Sequence, residues 1–171
     1  MRLNKLIERL KTTDKNLILM VGVPLSGKST LIEKIEEYVD TIVSRDDILI
    51  EMGNEKLEGM SYNDAFKKVN QKNVSKELRK RLALATLSEG NVVIDMMNHK
   101  SKARRSHLKL FEGFTKYALI VKCPSVEVLL ERNENRFKEE GKFIPVNVID
   151  DLVRVYSSPR LDEGFDYIVY E

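Results

Sequence analysis

The apolar run Leu17-Ile18-Leu19-Met20-Val21 passes straight into Gly22-Val23-Pro24-Leu25-Ser26-Gly27-Lys28-Ser29-Thr30, and the helical spacing Leu31, Ile35, Val39 follows at once. A buried strand, a loop punctuated by two glycines and then a helix leave such a chain few folds to choose from. The loop fits Gly-x-x-x-x-Gly-Lys-Ser in the strand–loop–helix setting that this pattern requires. Gly22 and Gly27 let the backbone turn so that successive N–H groups point into one concavity, and the helix start adds partial positive charge. Such a concavity takes phosphate. Lys28 is placed to put a point charge on the β- and γ-phosphates of a nucleoside triphosphate, and the Ser29 hydroxyl is placed to hold Mg²⁺.

Four further apolar runs read as strands, at 41–44, 91–95, 117–123 and 167–170. Helical patterns lie between them: 29–39, a short one after Arg45 (48–52), a long one at about 62–87, then 102–114, 126–140 and 146–156. This alternation predicts an α/β fold, a five-stranded parallel sheet flanked by helices. Residues 53–59, with Gly53 and Gly59 at their ends, are the clearest loop. At 171 residues the chain is expected to form one domain, 1–171. Residues 1–15 set Leu3, Leu6, Ile7 and Leu10 at helical spacing among charges, which predicts an amphipathic helix docked on the core rather than a signal peptide.

Lys and Arg number 29 against 27 Asp and Glu, so the net charge of +2 excludes a strongly basic nucleic-acid coat and permits only a local basic patch. Cys123 is the single cysteine and cannot form an internal disulfide. A buried thiol in a reducing compartment is the expectation. No apolar stretch approaches membrane-spanning length, so no membrane partner is expected and a cytoplasmic location is.

In parallel sheets of this kind ligands sit beyond the carboxyl ends of the strands, and three groups lie there. Ser44-Arg45-Asp46-Asp47 offers a carboxylate that can orient an acceptor hydroxyl and take its proton, and either Asp46 or Asp47 fits. The same pair can cap the short helix that follows. Val92-Val93-Ile94-Asp95 ends in a carboxylate suited to a Mg²⁺ contact, to fixing an arginine or to touching the acceptor. Arg132 and Arg136 stand four apart on one helical face, where arginine forks suit a transferring phosphoryl group and the helix would close as a lid. Basic residues also cluster at Lys76, Arg79, Lys80 and Arg81, and at Lys100, Lys102, Arg104 and Arg105. The second cluster is placed to hold an anionic acceptor. His99 and His107 are expected on helix surfaces, and Met96 and Met97 on a pocket wall or in the core.

Together these pieces resemble the polynucleotide 5′-kinases, the kinase module of phage and animal end-repair enzymes within the P-loop kinase superfamily. The resemblance runs from Leu17 almost to the end. It includes Arg-Asp-Asp at 45–47, Ile-Asp-x-x-Asn at 94–98, Arg-Asn-x-x-Arg at 132–136 and the tail Ser158-Pro159-Arg160-Leu161-Asp162-Glu163-Gly164-Phe165-Asp166. It implies a P-loop kinase fold with a helical lid at about 126–144. ATP would be the phosphoryl donor, Mg²⁺ the cofactor, and a nucleic-acid 5′ end the substrate. Asp46 would be the general base, and Lys28 and Arg136 would stabilise the transferring group. Gly22, Pro24, Ser26, Gly27, Lys28, Ser29, Thr30, Arg132 and Arg136 would bind the nucleotide, with Ser29 on the metal. Arg45, Asp46, Asp95 and Asn98 would border the acceptor.

The chain departs from that group in two places. Leu49 stands where phage members often carry an arginine that grips the acceptor's phosphate, so the Lys102/Arg104/Arg105 cluster is expected to take that part. The Asp-x-Asp-Gly-Thr motif of the companion phosphatase does not occur in the sequence, which implies a stand-alone kinase. A small-molecule kinase for a nucleoside, sugar or amino alcohol is the alternative. A nucleotide-binding switch without transfer activity is a third possibility, and the Arg-Asp-Asp beside the cleft argues against it.

Overall fold

Strand β1, Asn16–Val21, is buried at every position, and so is Val92 to Ile94 of β3, Val92–Asp95. Only a sheet covered on both faces gives such strands. The computed structural model describes residues 1–13 and 15–171 and contains that sheet. With β2 (Thr41–Ser44), β4 (Thr115–Ile120) and β5 (Tyr167–Tyr170) the order is β2-β3-β1-β4-β5, every pair parallel. The register sets Leu19 beside Ile94 and Ala118, and Ser44 beside Asp95. Three strand ends are therefore level at one edge.

Alternate residues feed two core layers, as a period of two demands. Leu17, Leu19 and Val21 pack with Ile94, Phe111, Ala118 and Phe165 on one face. Ile18 and Met20 pack on the other with Leu3, Leu6 and Leu10 of α1 (Leu3–Thr12) and Leu31 and Ile32 of α2 (Lys28–Glu33). Buried Asn16 and Asn91 close the amino-terminal end of the sheet. Asn16 Nδ2 donates to Asn91 Oδ1 at 2.7 Å, and Asn91 Nδ2 donates to the Tyr38 carbonyl at 2.8 Å. Among the described residues no helix is long and apolar enough to cross a membrane.

Several boundaries differ from those expected. The helix expected over 29–39 stops at Glu33, and a 3₁₀ turn, Glu36–Tyr38, follows. Ile35 is still fully buried, so the apolar spacing serves a tight turn as well as a helix. The long pattern at 62–87 is two helices, α4 (Tyr62–Lys68) and α5 (Gln71–Ala85). Val69 is extended and buried, and the Asn70 side chain caps α5 by accepting the Lys72 N–H at 2.9 Å. Helix α3 spans Arg45–Asn54 and starts on a Ser44 cap whose Oγ accepts the Asp47 N–H at 3.2 Å. Neither aspartate is the cap. Gly53 is consequently helical rather than part of a loop, and a Cβ there would come within 2.9 Å of Ala65 Cβ. Its lack of a side chain lets α3 and α4 pack closely.

After β3 the chain forms α6 (Ser101–Leu110), shorter than expected because Phe111 and Phe114 turn inward edge to face and Gly113 takes a positive φ of 78°. Strand β4 begins two residues earlier than the expected 117 and ends at Ile120. Helices α7 (Val126–Glu140) and α8 (Val146–Arg154) make an arm over the sheet edge.

One ion pair ties the C-terminal segment to the sheet edge. Arg104 is fully buried, and its Nε and Nη2 donate to the two Glu163 carboxylate oxygens, each at 2.7 Å. Its Nη1 also donates to the carbonyls of Asn98 and Ser157, at 2.9 and 2.8 Å. Arg104 thus holds the structure together and does not reach an acceptor, contrary to expectation for its cluster. Removing one partner strands the other as a buried, unpaired charge. We expect Arg104→Met or Glu163→Leu alone to cost about 3–5 kcal/mol, read from denaturant midpoints, and Arg104→Met/Glu163→Leu together to cost less than the sum.

Candidate active site

The loop after β1 is shaped by tight backbone contacts. The Gly22 N–H donates to the Met97 carbonyl at 3.1 Å, and a Cβ on Gly22 would lie 2.8 Å from Ser26 Oγ. Gly27 adopts a left-handed φ of 108° as it enters α2, a conformation that disfavours side chains. Ser26 is buried, and its Oγ has no hydrogen-bond partner among the described residues. Pro24, Ser29 and Thr30 line the same cleft, the last two exposed.

Lys28 folds back over this loop. Its Nζ donates to the carbonyls of Gly22 at 3.1 Å and Val23 at 2.9 Å. Burial lowers the ammonium to a pKa of about 8, against the opposing pull of Asp95 and Asp46. Burial likewise pushes the Asp95 carboxyl upward, with Lys28 opposing. Arg132 Nη1 donates to the Leu25 and Ser26 carbonyls at 2.8 and 3.2 Å, pinning the loop to α7. One turn on, Arg136 has buried Nε and Nη2 atoms with no partner among the described residues. Burial lowers its pKa, and Glu140 and Asp46 pull the other way. Lys28, Arg132 and Arg136 thus share one cleft with Asp46 and Asp95.

Asp46 stands in the first turn of α3, half-buried at the cleft wall. Its Oδ1 accepts the Tyr62 hydroxyl at 3.0 Å, and its Oδ2 accepts Lys142 Nζ from the turn between α7 and α8. Burial and the Asp46 carboxylate raise the Tyr62 phenol well above its ordinary value, so it stays a donor. Arg45 lines the cleft, and its Nη2 donates to Oε1 of Gln71, the first residue of α5, at 2.7 Å. Asn98 lines the cleft but is buried, and its Nδ2 donates to the Met20 carbonyl at 2.9 Å. That bond latches the loop after β3 to the end of β1. Leu49 is wholly buried with Ile48, Ala65, Val69 and Val74, so no side chain at this position points at the cleft.

Tyr62 and Lys142 carried no signal in the sequence: the first sits in a helical pattern and the second follows a glycine. His99 and His107 are both partly buried, and burial lowers the pKa of each.

The oxygen donors present fit a magnesium ion. Among the described residues no three His, Cys, Asp or Glu side chains gather as a metal cluster. Mg²⁺ commonly takes only one or two protein oxygens and completes its shell with phosphates and water. Ser29 at the loop and Asp95 at the end of β3 supply oxygens of that kind.

Comparison with known proteins agrees with this architecture. The chain is 26% identical over 157 residues to heterogeneous nuclear ribonucleoprotein U-like protein 2 of Mus musculus, covering 90% of this chain but 21% of that protein. It superposes with a TM-score of 0.64 on a chain of the Pnkp1/Rnl/Hen1 RNA repair complex, 23% identical, over 84% of this chain and 44% of the other. A gluconokinase of Sinorhizobium meliloti superposes with a TM-score of 0.54 at 22% identity, over 92% and 82%. The fold is that of the P-loop kinases, with the phosphate loop where such folds bind ATP. Residues 17–159 match the family model of the AAA domain, and the chain belongs to that family.

Proposed function

We propose that the chain is an ATP- and Mg²⁺-dependent kinase that transfers the γ-phosphoryl group to the 5′-hydroxyl of DNA or RNA. The observation that carries this is Asp46, a carboxylate on the wall of the phosphate-loop cleft, close enough to Lys28 and Arg136 to act on both. In an in-line transfer the acceptor oxygen forms a bond to the γ-phosphorus as the bridge to the β-phosphate breaks. Asp46 orients the hydroxyl and takes its proton. Lys28 moves from the loop carbonyls to phosphate oxygens, and Arg136 gains acceptors for its unpartnered nitrogens. Bound Mg²⁺ supplies further neutralisation at the phosphate oxygens, with Ser29 on its protein side.

One observation supports a polymeric acceptor: the fold is shared with a chain of an RNA repair complex. A small-molecule kinase is the alternative, favoured by buried Leu49 and Arg104, neither of which can grip an acceptor phosphate. Gluconokinase shares the fold as well. A screen with labelled ATP against 5′-hydroxyl oligonucleotides, sugars, nucleosides and amino alcohols decides between them. Labelled oligonucleotide is the expected product; a labelled small hydroxyl compound with unlabelled oligonucleotide would overturn the proposal. ATP binding without any labelled acceptor would point to a switch.

Asp46→Ala is expected to lower kcat by roughly 10²–10⁴-fold with nucleotide affinity retained, measured by steady-state kinetics and titration of a fluorescent ATP analogue. Near-normal turnover would remove Asp46 from its role. Lys28 gives a second expectation. Its free ammonium loses its proton above pH about 8, whereas bound phosphates favour the charged form, so binding takes up a proton at higher pH. Nucleotide affinity should therefore be level below pH 8 and weaken above it, by at most about tenfold per pH unit. Lys28→Met should bind weakly, with no such break.

A further inference from the structure

The turn joining α7 to α8 reaches across the cleft and lands on the acceptor side. Asn63 Nδ2 donates to the Gly141 carbonyl at 2.7 Å, and the Phe143 N–H donates to Asn63 Oδ1 at 3.5 Å. Between those two bonds, Lys142 Nζ donates to Asp46 Oδ2. The same ammonium lies 3.7 Å from the centroid of the Tyr62 ring, and the Tyr62 hydroxyl holds the other carboxylate oxygen. Gly141 permits this path: it ends α7 with a left-handed φ of 66°, which directs the next residue back over the cleft.

Lys142 is not an ordinary surface lysine. Its side chain is 16% exposed, against 49% for Asp46. A dehydrated ammonium is costly unless it is paired, and this one has a carboxylate and an aromatic face. Beside the buried packing of Leu129 and Ile149 on Val23, two polar ties with different partners hold the arm down. Arg132 holds the donor loop, the 141–143 turn holds α3 and α4, and between them Arg136 has two nitrogens with no partner among the described residues.

The geometry points to Lys142 as a positioning residue that, with Tyr62, fixes both oxygens of Asp46 for the acceptor hydroxyl only while the α7–α8 arm is closed. This rests on the proposed role of Asp46 and adds that the base depends on the arm. Each carboxylate oxygen accepts more than one hydrogen bond, so both partners can stay while the hydroxyl docks. Closing the arm then brings Arg136 to the donor and orients the base in one movement. Lys142 also brings to the acceptor side a positive charge that Leu49 does not.

The test uses the full chain with Lys142→Met, Lys142→Arg, Asp46→Asn and Lys142→Met/Asp46→Asn, assayed on whichever hydroxyl acceptor turns over. Lys142→Met is expected to lower kcat roughly 10²-fold, the scale of a misplaced catalytic group. KM for nucleotide should rise far less than kcat falls, and the melting temperature should not change. Lys142→Arg should recover most of the loss, and the double variant should be no worse than Asp46→Asn. An unchanged or raised kcat in Lys142→Met overturns the inference, as does an additive double variant. If Asp46→Asn is inactive while Lys142→Met is fully active, only the positioning role falls. If Asp46→Asn turns over normally, the base assignment falls first and this inference with it. Without any substrate, amide hydrogen exchange at 141–144 should quicken in Lys142→Met and Asp46→Asn alike; unchanged exchange in both overturns the tie between arm and carboxylate.

Discussion

Positive charge held out of water around the loop at 22–28 is the constraint on which the rest of this structure depends. Lys28 is buried far enough to fall to a pKa of about 8, and two nitrogens of Arg136 are buried with no partner among the described residues. Asp46 and Asp95 offset this only in part. Groups of this kind destabilise a fold unless something rigid prevents their escape. Here the rigid element is β1, buried along its whole length between β3 and β4, with the Gly22 N–H tied to Met97 and the Asn98 amide tied to Met20. The sheet thus keeps open a cationic concavity that an anion of several charges would relax. In that sense the structure is complementary to a ligand before the ligand arrives.

The wall around Asp46 is built on a different principle. Asp46 is not dehydrated to the same degree, and what distinguishes it is the number of its neighbours. A phenol, an ammonium and the first turn of α3 all address one carboxylate. Ser44 takes the capping duty that the two aspartates were equally suited to, and the Asp46 side chain is left to the cleft. The loop at 22–28 and the Asp46 wall meet through α7, which touches the loop by Arg132 and α4 by the turn at Gly141.

The parts of this design legible in the sequence are those set by local pattern. β1 is an unbroken apolar run, the loop has fixed spacing, and Asp46 and Asp95 follow strand ends directly. Boundaries inside helices were less legible, because Leu31, Ile35 and Val39 keep their period whether the backbone is α or 3₁₀. Asn70 did carry a signal, since a capping residue in mid-pattern argues for two helices. Arg104 carried none. In sequence it is one of several basic residues on a helix, and only the meeting with Glu163, far along the chain, makes it a buried clamp. Lys142 is the same case, since its partner Asp46 is distant in sequence and brought near by the fold.

That last pair bears on what Leu49 means. In sequence the leucine looked like a gap in the acceptor site, to be filled from the basic cluster of α6. Its side chain instead closes the core between α3, α4 and α5 with Ala65 and Val74, so the position belongs to packing. Arg104 is committed to Glu163, and Arg105 Nη1 donates to the Asp162 carbonyl at 3.3 Å, away from Asp46. The cations that line the cleft include Arg45, Lys67 and Lys142, and the first two sit on α3 and α4, which Leu49 packs together. A charge delivered from a closing arm would differ from one fixed on α3, because it would be present only with the arm down. An acceptor held in that way gains its counter-charge together with the donor's, so the two substrates would favour one another's binding through a single moving element.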